Sequence, residues 1–237
     1  MNYIAGDLRD QLALVGYALV SGGLVVGSGG NLSARSPGSD EIWVTAAGTW
    51  LDRLDRPDFV RVGIGSGEMV PVAPVDADPG EDIDPDGELG EDGVEDAGPR
   101  VLRPSSELAL HLATYRARPD VNAVLHLHPQ TAVLLDALDE PIRLITTDHA
   151  FYLRRVARTP FHQPGSAELA SEAAKAAADG TNCVLLARHG CSVMADTVEL
   201  AHKRALYLEE AARLTFSAVA AGVAGRLPDL PDVIIAS

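Results

Sequence analysis

Hydrophobic and polar positions along this chain change their period several times, and each change marks an element. Between Asp7 and Val20 the apolar residues Leu8, Leu12, Val15 and Leu19 recur at helical spacing, which predicts an opening amphipathic helix. A glycine-rich turn region from Ser21 to Gly30 passes into an expected strand ending at Arg35. Ile42–Thr45 reads as a second strand, closed by Ala46-Ala47-Gly48, and Phe59 to Val72 alternates as a hairpin around Gly65-Ser66-Gly67. A helix is expected to open at Pro104-Ser105-Ser106-Glu107, to run through Leu108, Leu112 and Tyr115, and to stop at Pro119. Val121–His128 then reads as a strand, Gln130–Leu138 as a short helix, and Ile142–Thr146 as another strand before the polar cluster Thr147-Asp148-His149. Ser166–Ala178 is an expected helix, Cys183–Ala187 a buried strand, Ser192–Ala195 its hairpin partner, and Thr197–Ala221 a long final helix. Strands interleaved with helices predict an α/β protein, a mixed sheet flanked by helices.

At 237 residues with 46% apolar composition, the chain can bury a sizeable core built mostly of Val, Leu, Ile and Ala. No apolar run reaches the ~18 residues of a membrane span, and the N-terminus lacks the basic and apolar regions of a signal peptide. Two cysteines, Cys183 and Cys191, stand in no metal or redox spacing, and the expectation is a cytoplasmic protein without disulfides. The net charge of −15 is mostly local: residues 74–99 hold eleven acids and no Lys or Arg, and without those acids the charge becomes −4. Such a segment has little to bury and is expected to be a mobile insertion. Asp82, Asp84 and Asp86 alternate before Gly87, but Gly93 stands where a calcium loop needs a glutamate. With no basic surface, nucleic acid is not an expected partner, and neither is a membrane.

The chemistry-bearing residues are few. In His126-Leu127-His128, strand geometry sends both imidazoles to one face and Leu125 and Leu127 to the other. Two histidines on one face can share a metal, or can simply be buried side chains that alternate. His189, just beyond the apolar strand Cys183–Ala187, can deliver a third nitrogen. Three neutral histidines and an open position are the pattern of a catalytic zinc, whereas structural zinc has four protein ligands. Glu107 is the acid/base candidate, although a glutamate at a helix start also serves the helix dipole. Ser105 and Ser106 alone would read as helix caps. Gly27 to Asn31 does not match the dinucleotide fingerprint, so no nicotinamide cofactor follows.

Taken in order, Gly30-Asn31-Leu32-Ser33-Ala34-Arg35, Thr45-Ala46-Ala47-Gly48, Pro104-Ser105-Ser106-Glu107, Ala123–His128 and Leu186-Ala187-Arg188-His189-Gly190 resemble the class II aldolase/adducin family. The likeness runs over roughly residues 8–220, acidic insertion excepted. It implies one domain over residues 1–237, a three-layer α/β/α sandwich with a central mixed, largely antiparallel sheet. It also implies a homotetramer with active sites between subunits. In members similar to L-fuculose-phosphate aldolase, His126, His128 and His189 would bind Zn2+, or another divalent metal, and Glu107 would shuttle the proton. Asn31, Gly48, Ser105 and Ser106 would hold the substrate's phosphate. The implied activity is a lyase of carbohydrate metabolism acting on a small sugar, sugar phosphate or keto acid through an enediolate. Alternatives within the fold are a sugar-phosphate dehydratase or 4-epimerase, and outside catalysis a non-catalytic adducin-like interaction module.

Three departures qualify the likeness. Ala47 stands where phosphate-using relatives carry threonine. Thr147–Tyr152 echoes the segment that holds a second acid in L-ribulose-phosphate 4-epimerases, which carry aspartate at the position of Glu107. No tyrosine follows Tyr207, whereas the aldolases protonate with one near the C-terminus, leaving His149 or Tyr152 to serve.

Overall fold

The computed structural model describes residues 6–71 and 102–227. The acidic segment 74–99, with its expected mobility, lies outside them, as does Val72 at the end of the expected hairpin. Helix α1 (Leu8–Ser21) starts at Asp7, whose side chain accepts a hydrogen bond from the Arg9 amide. Strands β1 (Asn31–Ala34), β2 (Glu41–Thr45) and β3 (Phe59–Gly63) pair antiparallel in sequence order. The expected hairpin after β3 shrinks to a tight turn, with a single bridge from Val62 to Met69.

Helix α2 (Leu108–Ala117) leads into β4 (Ala123–Leu127), followed by α3 (Gln130–Ala137) and α4 (Thr147–Leu153). Strand β5 (Val156–Thr159), α5 (Ala167–Ala177), the hairpin of β6 (Cys183–Leu186) and β7 (Gly190–Ala195), and the long α6 (Val198–Ala220) complete the order. The seven strands form one sheet in the order β3-β2-β1-β4-β7-β6-β5. Only β5 and β6 run parallel; every other neighbouring pair is antiparallel. Among the described residues, no helix is long and apolar enough to cross a membrane.

Strand alternation divides the core in two. Leu125, Leu127, Cys191 and Val193 pack with Leu12, Val15 and Leu19 of α1 and with Ala201, Ala205 and Leu208 of α6. Val124, Val184, Leu186 and Met194 face the other way, against Leu110, Leu112 and Tyr115 of α2 and Leu169 and Ala173 of α5. Helices therefore cover both faces, and β4 lies in the middle of the sheet with no solvent side. The largely antiparallel three-layer α/β/α arrangement is the one the sequence implied.

Some elements differ from expectation. Ile142–Thr146 is not a strand: Ile142 and Leu144 pack on the first core cluster without joining the ladder. Their alternation reflects burial alone, and the strand forms fourteen residues later as β5, an edge strand short enough to escape notice. Thr147-Asp148-His149 opens α4, with Thr146 accepting from the His149 amide as its cap. Pro104–Glu107 is not helical either, because Pro104 bridges to Ala46 and α2 begins only at Leu108.

Buried Glu209 of α6 ties that helix to the start of α3 on the same side of the sheet. Its carboxylate accepts from the Thr131 amide and hydroxyl at 3.2 and 2.6 Å and from the Ala132 amide at 3.1 Å. Helix α3 has Pro129 at its N-cap and no side-chain cap of its own, so Glu209 satisfies its open N–H groups across the fold. Because α3 starts two residues after His128, this contact fixes where β4 ends. Replacing Glu209 with Ala should cost about 1–3 kcal/mol, the penalty for buried donors without partners. Urea unfolding would show it as a lower midpoint at unchanged slope; an unmoved midpoint would mean that water replaces the carboxylate.

Candidate metal centre

Four side chains converge where β4, the β6–β7 hairpin and the start of α2 meet. One ligand atom from each of Glu107, His126, His128 and His189 lies within 4.8 Å of all the others. The imidazole centroids are 4.7–5.1 Å apart in three pairs, none of them stacked. His126 is fully buried, while His128 and His189 are partly open.

Each candidate ligand is held by its element. The ring of His126 hydrogen-bonds the Cys191 carbonyl through Nδ1 at 3.0 Å, on the adjacent strand. A carbonyl only accepts, so Nδ1 carries a proton and Nε2 is the nitrogen left to meet a cation. That Nε2 faces Glu107 Oε2 at 2.8 Å and His128 Nε2 at 3.0 Å. His189 Nε2 lies 3.5 Å from Glu107 Oε1, and neither Oε1 nor His189 Nδ1 has a hydrogen-bond partner among the described residues despite its burial. Three imidazole nitrogens and a carboxylate oxygen aimed at one point, with donor capacity unspent, form a set suited to a divalent cation such as zinc.

His189 sits at the tip of the β6–β7 hairpin, after Arg188 in the left-handed region at φ 56°. The Arg188 amide donates to Asp136 Oδ2 at 2.6 Å, and Arg158 Nε donates to Oδ1 of the same buried carboxylate. Asp136 thus stabilises a backbone conformation that non-glycine residues seldom adopt. Gly190, next in line, allows a close approach: a Cβ there would meet the Leu127 carbonyl at 2.3 Å and His128 Cδ2 at 2.5 Å.

Glu107 does not serve its helix. It is the N-cap residue of α2 at φ −103°, ψ 21°, and its side chain makes no capping bond. The carboxylate turns to the imidazoles and also accepts from Asn31 Nδ2 at 3.2 Å. Burial raises its pKa, but the His126 contact, the charges of His126 and His189 and the Asn31 bond outweigh that and bring it down to about 2. Burial and the neighbouring imidazoles lower His128 to about 4 and lower His189 as well, so both rings are neutral, as ligands must be, at neutral pH.

The expected anion-binding residues fall into two groups. Asn31 pairs with His126 across the β1–β4 ladder and joins the cluster through Glu107. Ser105 is buried and accepts from the Glu107 amide at 3.2 Å. Gly48 and Ser106 are exposed. The segments that carry these residues are laced together, since the Ala47 amide donates to the Arg103 carbonyl and the Ser105 amide to the Thr45 carbonyl. His149 and Tyr152, the substitutes considered for the missing tyrosine, sit on α4 against α6. His149 Nε2 meets Glu210 Oε2 at 3.2 Å, and Tyr152 stacks on Tyr207.

His111 escaped the sequence reading. It is wholly buried on α2, four residues after Glu107, and reaches Asn31 Oδ1 and Ser33 Oγ, with Tyr115 beyond. The spacing of Glu107, His111 and Tyr115 on one helical face was the available signal.

The layered sheet and the carboxylate facing three imidazoles define a class, the metal-dependent enzymes of the class II aldolase type. The family model for the Class II Aldolase and Adducin N-terminal domain matches residues 10–216, and the chain belongs to that family. It is 29% identical over 191 residues to an L-fuculose phosphate aldolase of Methanocaldococcus jannaschii, covering 81% of this chain and 86% of that one. It is 30% identical over 215 residues to a 3-oxo-tetronate 4-phosphate decarboxylase of Haemophilus influenzae, covering 88% and 87%. A solved L-fuculose 1-phosphate aldolase superposes with a TM-score of 0.76 at 27% identity, over 98% of this chain and 94% of the other.

Two outcomes follow from this geometry. Gly190→Ala should overpack the hairpin against His128, costing about 1–3 kcal/mol and lowering metal content; wild-type values of both, by urea unfolding and elemental analysis, would contradict the close approach. The second concerns acid. Burial and then the charge of His126 lower the His111 pKa from 6.5 to about 3. Above pH 6.5 the ring is neutral in folded and unfolded chains alike. Below it the unfolded chain takes the proton first, so stability falls as pH drops from about 6.5 towards 3. One such group contributes a slope of about 1.4 kcal/mol per pH unit, to which His128 and His189 add in the metal-free protein. Unfolding midpoints that stay constant between pH 7 and pH 4.5 would rule this out.

Proposed function

We propose that this chain is a zinc-dependent carbon–carbon lyase acting on a small sugar, sugar phosphate or keto acid, with His126, His128 and His189 as ligands and Glu107 as acid/base. The observation that carries the reading is the Glu107 carboxylate, turned away from its helix and into the three imidazoles. Bound among those nitrogens, a divalent cation supplies Lewis-acid stabilisation of negative charge developing on a substrate oxygen. Glu107 takes the proton released as the bond breaks, or returns it to the carbon left behind. His126, locked by the Cys191 carbonyl, keeps its Nε2 directed inward throughout the cycle. Asn31, the Gly48 amide and the hydroxyls of Ser105 and Ser106 hold an anionic group of the substrate through hydrogen bonds alone. The two named relatives, an aldolase and a decarboxylase, both support cleavage of a carbon–carbon bond next to a carbonyl. Residues 1–237 form one domain in this reading, active as a cytoplasmic homotetramer.

Zinc-loaded protein should be assayed with L-fuculose 1-phosphate, 3-oxo-tetronate 4-phosphate and a panel of small ketoses and keto acids, reading released aldehyde or carbon dioxide. Glu107→Gln keeps the shape but cannot accept a proton, so turnover should fall roughly 10²–10⁴-fold with zinc content retained. His126→Ala and His189→Ala should each lose the metal. A Glu107→Gln enzyme within a few fold of wild type would end the acid/base assignment, and full metal in both alanine variants would end the ligand set.

A further inference from the structure

Behind Glu107 the buried polar side chains form a continuous file. Glu107, His111 and Tyr115 stand four residues apart along α2, and Asn31 and Ser33 stand two apart on β1, on the face turned towards that helix. Tyr115 OH lies 2.9 Å from Ser33 Oγ, and Ser33 Oγ lies 2.6 Å from His111 Nδ1. His111 Nε2 meets Asn31 Oδ1 at 2.5 Å, and Asn31 Nδ2 meets Glu107 Oε2 at 3.2 Å. All five residues are buried.

We propose that His111 is a positioning residue whose Nε2–H fixes the orientation of the Asn31 amide and, through it, the Glu107 carboxylate. The direction of the file follows from its charged end. Only the amino end of an amide is attracted to a carboxylate, so Asn31 points Nδ2 at Glu107 and Oδ1 at His111. Oδ1 only accepts, so the ring proton is on Nε2. Nδ1 is then an acceptor and Ser33 donates to it, which leaves the Ser33 oxygen to take the phenolic proton of Tyr115. Every donor points towards Glu107, and reversing any one member would set two acceptors against each other. A file of this kind polarises its members in one sense and strengthens the last bond, the one on the carboxylate.

Glu107 uses one amino hydrogen of Asn31 and leaves the second for the substrate. An Asn31 turned the other way would present oxygen to both the carboxylate and an anionic group. His111 itself stays neutral, since burial and the nearby charge of His126 hold its pKa to about 3. Its work is therefore orientation and not proton transfer.

The first test stands apart from the proposed reaction. Nitrogen-15 imidazole spectra of the full-length, zinc-loaded protein should show a neutral His111 protonated at Nε2 throughout about pH 5 to pH 8. A proton on Nδ1, or a titration midpoint near the ordinary 6.5, overturns the proposal whatever the enzyme's activity. The second test rests on the functional reading above and uses whichever substrate the assay identifies. His111→Gln places an amino group near the position of Nε2, whereas His111→Asn replaces only the Nδ1 side. With wild-type zinc content in both, His111→Gln should stay within about threefold of wild-type kcat/KM and His111→Asn should lose roughly 10–100-fold. A packing role alone would move the two variants together, so equal losses, or none, overturn the proposal. If no substrate is turned over, the lyase reading fails while the spectra still decide the tautomer.

Discussion

A strand covered on both faces has nowhere to send a polar side chain, and β4 carries the imidazole of His126, with His128 one residue past its end. Helices α1 and α6 seal one side of it and α2 seals the other, so whatever His126 needs must come from its neighbours. The adjacent strand provides the Cys191 carbonyl, and the turn before α2 provides Glu107. Burial of unpartnered polar groups costs free energy that the sheet around them cannot easily spare. That constraint explains why so many long-range contacts end at this point. Asp136 steadies the hairpin tip that carries His189, Glu209 anchors the helix that follows His128, and Gly190 lets the hairpin lie against β4.

The electrostatics follow from the same enclosure. His128 and His189 driven neutral by burial and by the charge of His126, and a Glu107 carboxylate kept ionised by its contact with His126, are the protonation states that metal ligands and a base require. The two cysteines take no part. Burial pushes the Cys183 thiol up to about 12 and raises Cys191 well above its usual value, so neither sulfur offers a thiolate to a cation.

Much of this was legible in the chain, and the failures have physical causes. The period of two in His126-Leu127-His128 was sufficient to bring both rings together, although β4 ends at Leu127 and His128 lies one residue beyond it. The three-histidine set and Glu107 were legible by motif, but a local reading could not say whether Glu107 served its helix or the histidines. That question turned on α2 beginning one residue later, which the bridge between Pro104 and Ala46 decides. Ile142 and Leu144 alternate like a strand yet only pack, whereas the edge strand β5 depends on parallel pairing with residues more than twenty positions away. His111 read as one more member of an amphipathic helix, since its partners lie about eighty positions earlier on β1. Asp136 had no signal at all, because its role is to accept a backbone amide fifty-two residues distant.

The turn around Gly48 lies open to solvent together with Ser106, while Glu107 one residue further on is buried. In the proposed roles, the acid/base Glu107 and one of the anion-binding residues, Ser106, thus stand at different depths of the same short segment. Exchanges at exposed positions such as Ala47 or Ser106 disturb the interior little, typically by less than about 0.5 kcal/mol. A lineage can therefore alter which molecules it admits without rebuilding the apparatus that acts on them, and one scaffold can give rise to enzymes with different names.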